Sequence, residues 1–227
     1  RTLALEHPAS RFVMVDVDSD LERSARSLTE ELHSDSSETQ VAIRAGVRYV
    51  SRLARIPLPA DSGQPFELHE NAAYLVVGGL GGLGLEVANW LVERGARHLV
   101  LIGRRGLPPR ETWPSLDAAS PAAIVAQRIA ALEALGVRVC VAAVDVADQR
   151  ALDDLIATIE QPIRGVFHAG GVFHEGAIER LNRDDLRGVF RAKVDGSWAL
   201  HSRLQNTPLD FFVLFSSASA TVGNARL

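Results

Sequence analysis

Val76-Val77-Gly78-Gly79-Leu80-Gly81-Gly82-Leu83-Gly84-Leu85-Glu86-Val87 is the stretch on which the fold turns. A short apolar run, Tyr74–Val77, ends in five glycines within seven residues. The chain then takes up helical spacing at Leu83, Val87, Trp90 and Leu91. Strand, glycine turn and helix in that order bring the backbone close to a pyrophosphate and point a helix N-terminus at its charge. Two spacings fit: Gly79, Gly81 and Gly84 read G-x-G-x-x-G, and Gly78, Gly82 and Gly84 read G-x-x-x-G-x-G.

Outward from this loop, apolar runs alternate with helical segments. His98–Ile102, Arg138–Val144, Gly165–His168 and Phe211–Phe215 read as strands, the last fully apolar. Ala122–Leu135, Leu152–Ile159 and Arg183–Leu204 read as helices, the last long and unbroken. Near-continuous apolar strands separated by helices specify an α/β fold, a doubly wound parallel sheet covered on both faces. Before it, residues 57–72 are polar and hold Pro57, Pro59, Gly63 and Pro65, a linker. Residues 1–56 carry two strand-like runs, Phe12–Val17 and Val41–Leu53, around a helical segment, Asp20–His33.

Composition narrows the classes. The 227 residues are 47% hydrophobic, enough for a sizeable core. With 28 acidic against 24 basic residues, the net charge of -4 carries no nucleic-acid footprint. The single cysteine, Cys140, excludes a disulfide framework within the chain, fits a reducing, cytoplasmic compartment, and reads as a small core residue. No charged-then-apolar leader opens the chain, and the most apolar stretch, Tyr74–Val92, is too interrupted by glycine and Glu86 to span a membrane. The opening at Arg1 without a methionine and the stop at Leu227 read as cuts inside a longer polypeptide.

The second strand leads into Gly103-Arg104-Arg105-Gly106. An acidic residue here would suit a ribose 2′-hydroxyl, whereas arginine suits a 2′-phosphate, which favours NADPH over NADH and argues against a methyltransferase. Asp145, beside Val146, could accept from the adenine amine or cap a helix starting near Ala147. On the long helix, Leu186, Phe190, Lys193, Ser197 and Leu200 step by four, three, four and three and so share one face. Lys193 in that apolar stripe either snorkels to the surface or is aimed at the carboxyl end of the sheet. Ser216-Ser217 ends the last strand, where open parallel sheets place their chemistry. A serine and a lysine without an aspartate or histidine in an obvious motif suit carbonyl polarisation better than hydrolysis. His168 and His174 have no partners at ligand spacing and read as loop residues, so no metal is expected.

Taken as a set, Tyr74–Gly106, Val144-Asp145-Val146, Gly165-Val166-Phe167-His168-Ala169-Gly170-Gly171, Lys193–Trp198 and Phe215-Ser216-Ser217 strongly resemble ketoreductase domains of modular polyketide synthases, within the short-chain dehydrogenase/reductase superfamily. The resemblance covers residues 73–227. Leu5-Glu6-His7-Pro8 and Arg44–Val50 resemble the second half of the structural subdomain that precedes the catalytic part in that family. It implies Lys193 and Ser217 as catalytic residues. It also implies that NADPH is held by Gly78, Gly79, Gly81, Gly82, Leu83, Gly84, Arg104, Arg105, Asp145, Val146, His168, Ala169 and Gly170. The substrate would be a β-ketoacyl thioester on an acyl carrier protein, and other domains of the same synthase would be partners. The family's tyrosine follows its serine by thirteen positions, which falls three residues past Leu227. The threonine usual before the first glycine is Val77 here. The two stereochemical signatures are also replaced: Phe173-His174-Glu175 stands for Leu-Asp-Asp, and Val222 stands where the other subtype has tryptophan. Two rivals remain: a reductase-like domain that binds nucleotide or neighbours without reducing anything, and an extended-class nucleotide-sugar epimerase or dehydratase.

Overall fold

The computed structural model describes residues 1–57, 68–172, 174 and 176–225. Residues 58–67 of the expected linker lie outside the described residues, as do Phe173 and Glu175 of the stereochemical triplet. Two units make up the chain: Arg1–Gly63 with Glu175–Leu181 and Ser217–Leu227, and Gln64–His174 with Asn182–Ser216.

The first unit begins with helix α1 (Thr2–Glu6), strand β1 (Met14–Asp16), helix α2 (Leu21–Leu32) and strands β2 (Gln40–Arg44) and β3 (Val47–Val50). The strands form a three-stranded sheet in the order β1-β2-β3, with the first pair parallel and the second antiparallel. The expected single run Val41–Leu53 is therefore a hairpin. Ala45 and Gly46 turn it with φ of 52° and 81°, a pair of left-handed residues of the kind a two-residue hairpin requires. Arg48 on β3 grips the buried Glu31 on α2 through two bonds of 2.6 and 3.0 Å.

The second unit alternates as the sequence predicts. It runs β4 (Ala73–Val77), α3 (Gly82–Glu93), β5 (His98–Gly103), a 3-10 turn (Arg110–Ser115), α4 (Pro121–Ala134), β6 (Arg138–Ala143), α5 (Gln149–Ala157), β7 (Ile163–His168), α6 (Arg183–Phe190), a π-helical segment (Arg191–Asp195), α7 (Gly196–Leu204) and β8 (Phe211–Leu214). The five strands are all parallel, in the order β6-β5-β4-β7-β8. A last helix, α8 (Ser219–Val222), belongs to the first unit.

Every residue of β4 is buried, because β4 is central and both faces are covered. Tyr74 and Val76 pack with Leu85 and Leu91 of α3 and with Ile129 of α4. Ala73, Leu75 and Val77 pack on the opposite face with Leu152 of α5 and Leu200 of α7. Each large side chain buried this way stabilises the fold by about 1.5–3 kcal/mol. The Tyr74 phenol is buried in the same layer, stacks on Phe211 and accepts the His69 N–H at 2.6 Å.

Three expectations are corrected. Cys140 is exposed, because β6 is an edge strand and its outward-facing positions are uncovered. The single helix Arg183–Leu204 is interrupted by the π segment, in which the Gly196 N–H reaches back five residues to the Arg191 carbonyl. The stripe through Lys193 is consequently not a core face: Leu186 and Phe190 are 43% and 54% exposed, and only Leu200 is fully buried.

Candidate functional site

The sheet order reverses direction at β4: β5 and β6 lie on one side of it and β7 and β8 on the other. Open parallel sheets bind ligands at the carboxyl ends of the strands flanking such a switch point. The loops after β4 and β7 meet there. Gly78 has φ of 78°, and a Cβ on it would stand 2.7 Å from Gly170 N, so the two loops pack backbone to backbone with no room for a side chain at residue 78. A Cβ on Gly84 would stand 2.1 Å from the Gly78 carbonyl oxygen, so α3 folds back onto the loop only without a side chain.

Gly82 differs from these two: a Cβ there would meet nothing within 4 Å. Packing does not require this glycine, and its bareness leaves the start of α3 open. Gly81, the N-cap of α3, offers no side-chain cap, and no acidic residue sits in the first turn. Among the described residues no side chain caps this helix start and its first turn carries no carboxylate, as an anion site requires.

A cleft of about 470 Å³ opens beside this turn, lined by Gly78, Gly81, Arg104, Arg105, Ala169 and Gly170 among others. Both arginines are exposed, and among the described residues neither has an ion pair. Two unpaired guanidiniums at the end of β5, facing the same cleft as an open helix N-terminus, suit a ligand with phosphates at two places. The residues present therefore fit a phosphorylated dinucleotide.

Other expected site residues lie differently. Leu83 is half exposed in the first turn of α3. Val146 is buried, and a Cβ on Gly196 would stand 2.5 Å from its Cγ1, so its side chain packs against the helix and not toward the cleft. Asp145 does not cap α5; Asp148 does, accepting the Ala151 N–H. Asp145 instead takes the Ala147 N–H at 3.0 Å and the Arg191 Nε at 2.9 Å. Burial works against its charge, but these two bonds and the nearby charge of Arg104 hold its carboxyl below the ordinary carboxylate range. His168 is the last residue of β7 and not a loop residue, is 2% exposed, and has both ring nitrogens on backbone groups. His174 lies 3.6 Å from Asp185. No group of three metal-ligating side chains occurs among the described residues.

Lys193 sits in the π segment. Its Nζ donates to the Phe215 carbonyl at 3.2 Å, and its side chain passes over Gly171. That brings the ammonium to the loop that lines the cleft, so Lys193 does not snorkel outward. Ser217, three residues past β8 and in the first unit, accepts the Ser219 N–H at 3.2 Å with its Oγ.

Sequence reasoning missed two residues that shape this region, Gly171 and Arg191. It also passed over a signal that singles out Lys193: of the 24 basic residues, Lys193 is the only lysine. A chain that uses arginine at every other position keeps here a compact ammonium on a flexible stem.

Residues 72–227 match the family described as KR domain. The chain is 38% identical over 187 residues to 6-methylsalicylic acid synthase of Aspergillus niger, a match that covers 81% of this chain and 10% of that protein. It is 42% identical over 171 residues to 5-methyl-1-naphthoate synthase of Streptomyces sahachiroi, covering 74% of this chain and 9% of that protein. A solved structure of A-type ketoreductases from a modular polyketide synthase matches 99% of this chain and 45% of its own, with a TM-score of 0.80 and 38% identity. The chain thus spans about a tenth of the length of the curated relatives it matches. No helix among the described residues is long and apolar enough to cross a membrane. Agreement between the family match over the second unit's strands and the likeness to solved ketoreductases makes this chain a member of the KR domain family of polyketide synthases.

Proposed function

We propose that this chain serves the NADPH-dependent reduction of a β-ketoacyl thioester, carried on an acyl carrier protein, to the β-hydroxyacyl thioester. The observation that carries the reading is the cleft at the switch point, where an open, acid-free helix start and two unpaired arginines face one cavity that Lys193 adjoins through Gly171. In the domain reading that goes with it, residues 1–56 form half of a structural subdomain, 57–72 a linker, and 73–227 the catalytic part. The single cysteine fits the cytoplasm, and the other domains of the synthase are the chain's neighbours.

NADPH, when bound, supplies the hydride. Gly82 and the N–H groups of the first turn of α3 hold its pyrophosphate, and Arg104 and Arg105 hold its 2′-phosphate. Ser217 donates a hydrogen bond to the substrate carbonyl oxygen, and Lys193 supplies positive charge where negative charge develops. The tyrosine that the resemblance places thirteen positions after Ser217 would give its proton to the carbonyl oxygen as the hydride reaches the carbon, and a phenol with a pKa of about 10 needs such an ammonium to act as an acid near neutrality.

The test pairs binding with turnover. The purified protein is titrated with NADPH and with NADH, then assayed for loss of NADPH absorbance with a small β-ketoacyl thioester, with Lys193→Met as control. Preference for NADPH together with turnover that Lys193→Met loses supports the reading. Equal affinity for the two nucleotides removes the role of the arginines. NADPH binding without any turnover, in a polypeptide that carries a tyrosine thirteen positions after Ser217, favours the reduction-silent rival.

A further inference from the structure

The buried imidazole of His168 joins the two parts of the second unit that bracket Lys193. The Gly170 N–H donates to Nδ1 at 3.2 Å, and Nε2 stands 2.9 Å from the Ala192 carbonyl oxygen. An amide N–H can only donate and a carbonyl can only accept, so Nδ1 is bare and Nε2 carries the proton. Burial lowers the ring's proton affinity and the Lys193 ammonium adds to that, against the opposing effect of the Ala192 bond, so the ring is neutral.

Ala192 lies in the π segment, and the register there explains its availability. In an α-helical register the Gly196 N–H would bond the Ala192 carbonyl. Here it bonds Arg191 instead, and the Ala192 carbonyl turns to His168. Gly196 lies beside the ring: a Cβ there would stand 3.4 Å from His168 Nε2, an ordinary contact, but 2.5 Å from Val146 Cγ1. Such π turns recur at functional sites because they redirect one side chain against the rest of a helix. The redirected side chain here is that of the next residue, Lys193, whose stem lies over Gly171, one residue past the other end of the His168 bridge. The Ser197 Oγ closes the turn on the far side by donating to the Lys193 carbonyl at 2.5 Å.

We infer that His168 is a positioning residue: as a neutral Nε2–H imidazole it holds the π turn through the Ala192 carbonyl and thereby fixes where the Lys193 ammonium sits against the 169–171 loop. The catalytic consequence rests on the proposed reductase reading, whereas the positional statement needs no nucleotide.

Because Lys193 is the only lysine, reductive ¹³C-methylation of the whole chain labels one side-chain amine, with the N-terminal amine as the other signal. Two variants separate the two halves of the bridge. His168→Gln can place an N–H where Nε2 was, and His168→Asn can place an oxygen where Nδ1 was. The expected result is a Lys193 methyl resonance that stays at its wild-type shift in His168→Gln and moves in His168→Asn, with both variants folded. Independently, ¹⁵N spectra of the unsubstituted protein should show Nδ1 bare, Nε2 protonated, and a ring that takes up its second proton only below the ordinary histidine range. The opposite tautomer, an ordinary titration, or an unmoved Lys193 signal in folded His168→Asn would overturn the inference. If the protein reduces a β-ketoacyl thioester, kcat should fall about 10- to 100-fold in His168→Asn and less in His168→Gln, with KM nearly unchanged. Failure of turnover alone, with the resonances as expected, would count against the reductase reading and not against the bridge.

Discussion

Lys193 lies across the bare Cα of Gly171: a methyl group there would meet Lys193 Cε at 2.9 Å and Nζ at 3.3 Å. The contact is with the far end of a flexible side chain, so Gly171→Ala displaces the ammonium and leaves the fold intact. Stability should change by no more than about 0.5 kcal/mol, whereas a misplacement of the order of 1 Å should reduce turnover by about 100-fold. A melting curve and a steady-state assay on the same preparation check both halves. A variant with full activity would mean that the position of Lys193 over Gly171 has no bearing on the reaction.

The glycine loop makes two opposite predictions from neighbouring positions. A Cβ at residue 84 collides with the Gly78 carbonyl, a backbone atom that cannot step aside, so Gly84→Ala should cost about 1–3 kcal/mol of stability. A Cβ at residue 82 enters open space in the first turn of a helix, so Gly82→Ala should keep or slightly raise the melting temperature. On the proposed reading its cost should appear in NADPH affinity, weakened by about tenfold or more, because the methyl would stand where the pyrophosphate is proposed to approach. Thermal melts and a nucleotide titration separate the two behaviours.

How much of this was legible in sequence depends on whether the information is local. The β4–loop–α3 unit and the alternation that follows could be read because strand periodicity, glycine positions and helix spacing are properties of adjacent residues. Cys140 was misread because an apolar run looks the same on a central strand and on an edge, and the order that puts β6 at the edge is a property of the whole sheet. The π segment was invisible because the four-three spacing around Lys193 also fits an ordinary α-helix. The register is tied to a bond from His168, 24 residues earlier than Ala192. Asp145 likewise reads as a cap until its partner Arg191, 46 residues away, is in view.

Arg104 and Arg105 should decide between the two nicotinamide nucleotides. Charge-assisted hydrogen bonds to a phosphate are worth about 1.5–3 kcal/mol, or about 10- to 150-fold in affinity. The double variant Arg104→Ala/Arg105→Ala should lose that much NADPH affinity and keep its NADH affinity. Calorimetric titration of both nucleotides checks the prediction, and a parallel loss for both would assign the arginines to the pyrophosphate or to the fold instead.

The pair formed by Asp145 and Arg191 predicts a pH dependence whose sign can be worked out. The Asp145 carboxyl is held below its ordinary value in the folded chain, partly by Arg191. A depressed carboxyl binds its proton more weakly folded than unfolded, so its contribution is complete above the unfolded value of about 4 and fades as the pH falls through the lower folded value. Arg191→Gln should therefore be less stable than the original chain near about pH 7, and the gap should close as the pH drops below the ordinary carboxylate range. Urea denaturation of both proteins across that range tests the idea. A gap that persists at low pH would mean that Arg191 stabilises the π segment by packing its stem and not through the charge on Asp145.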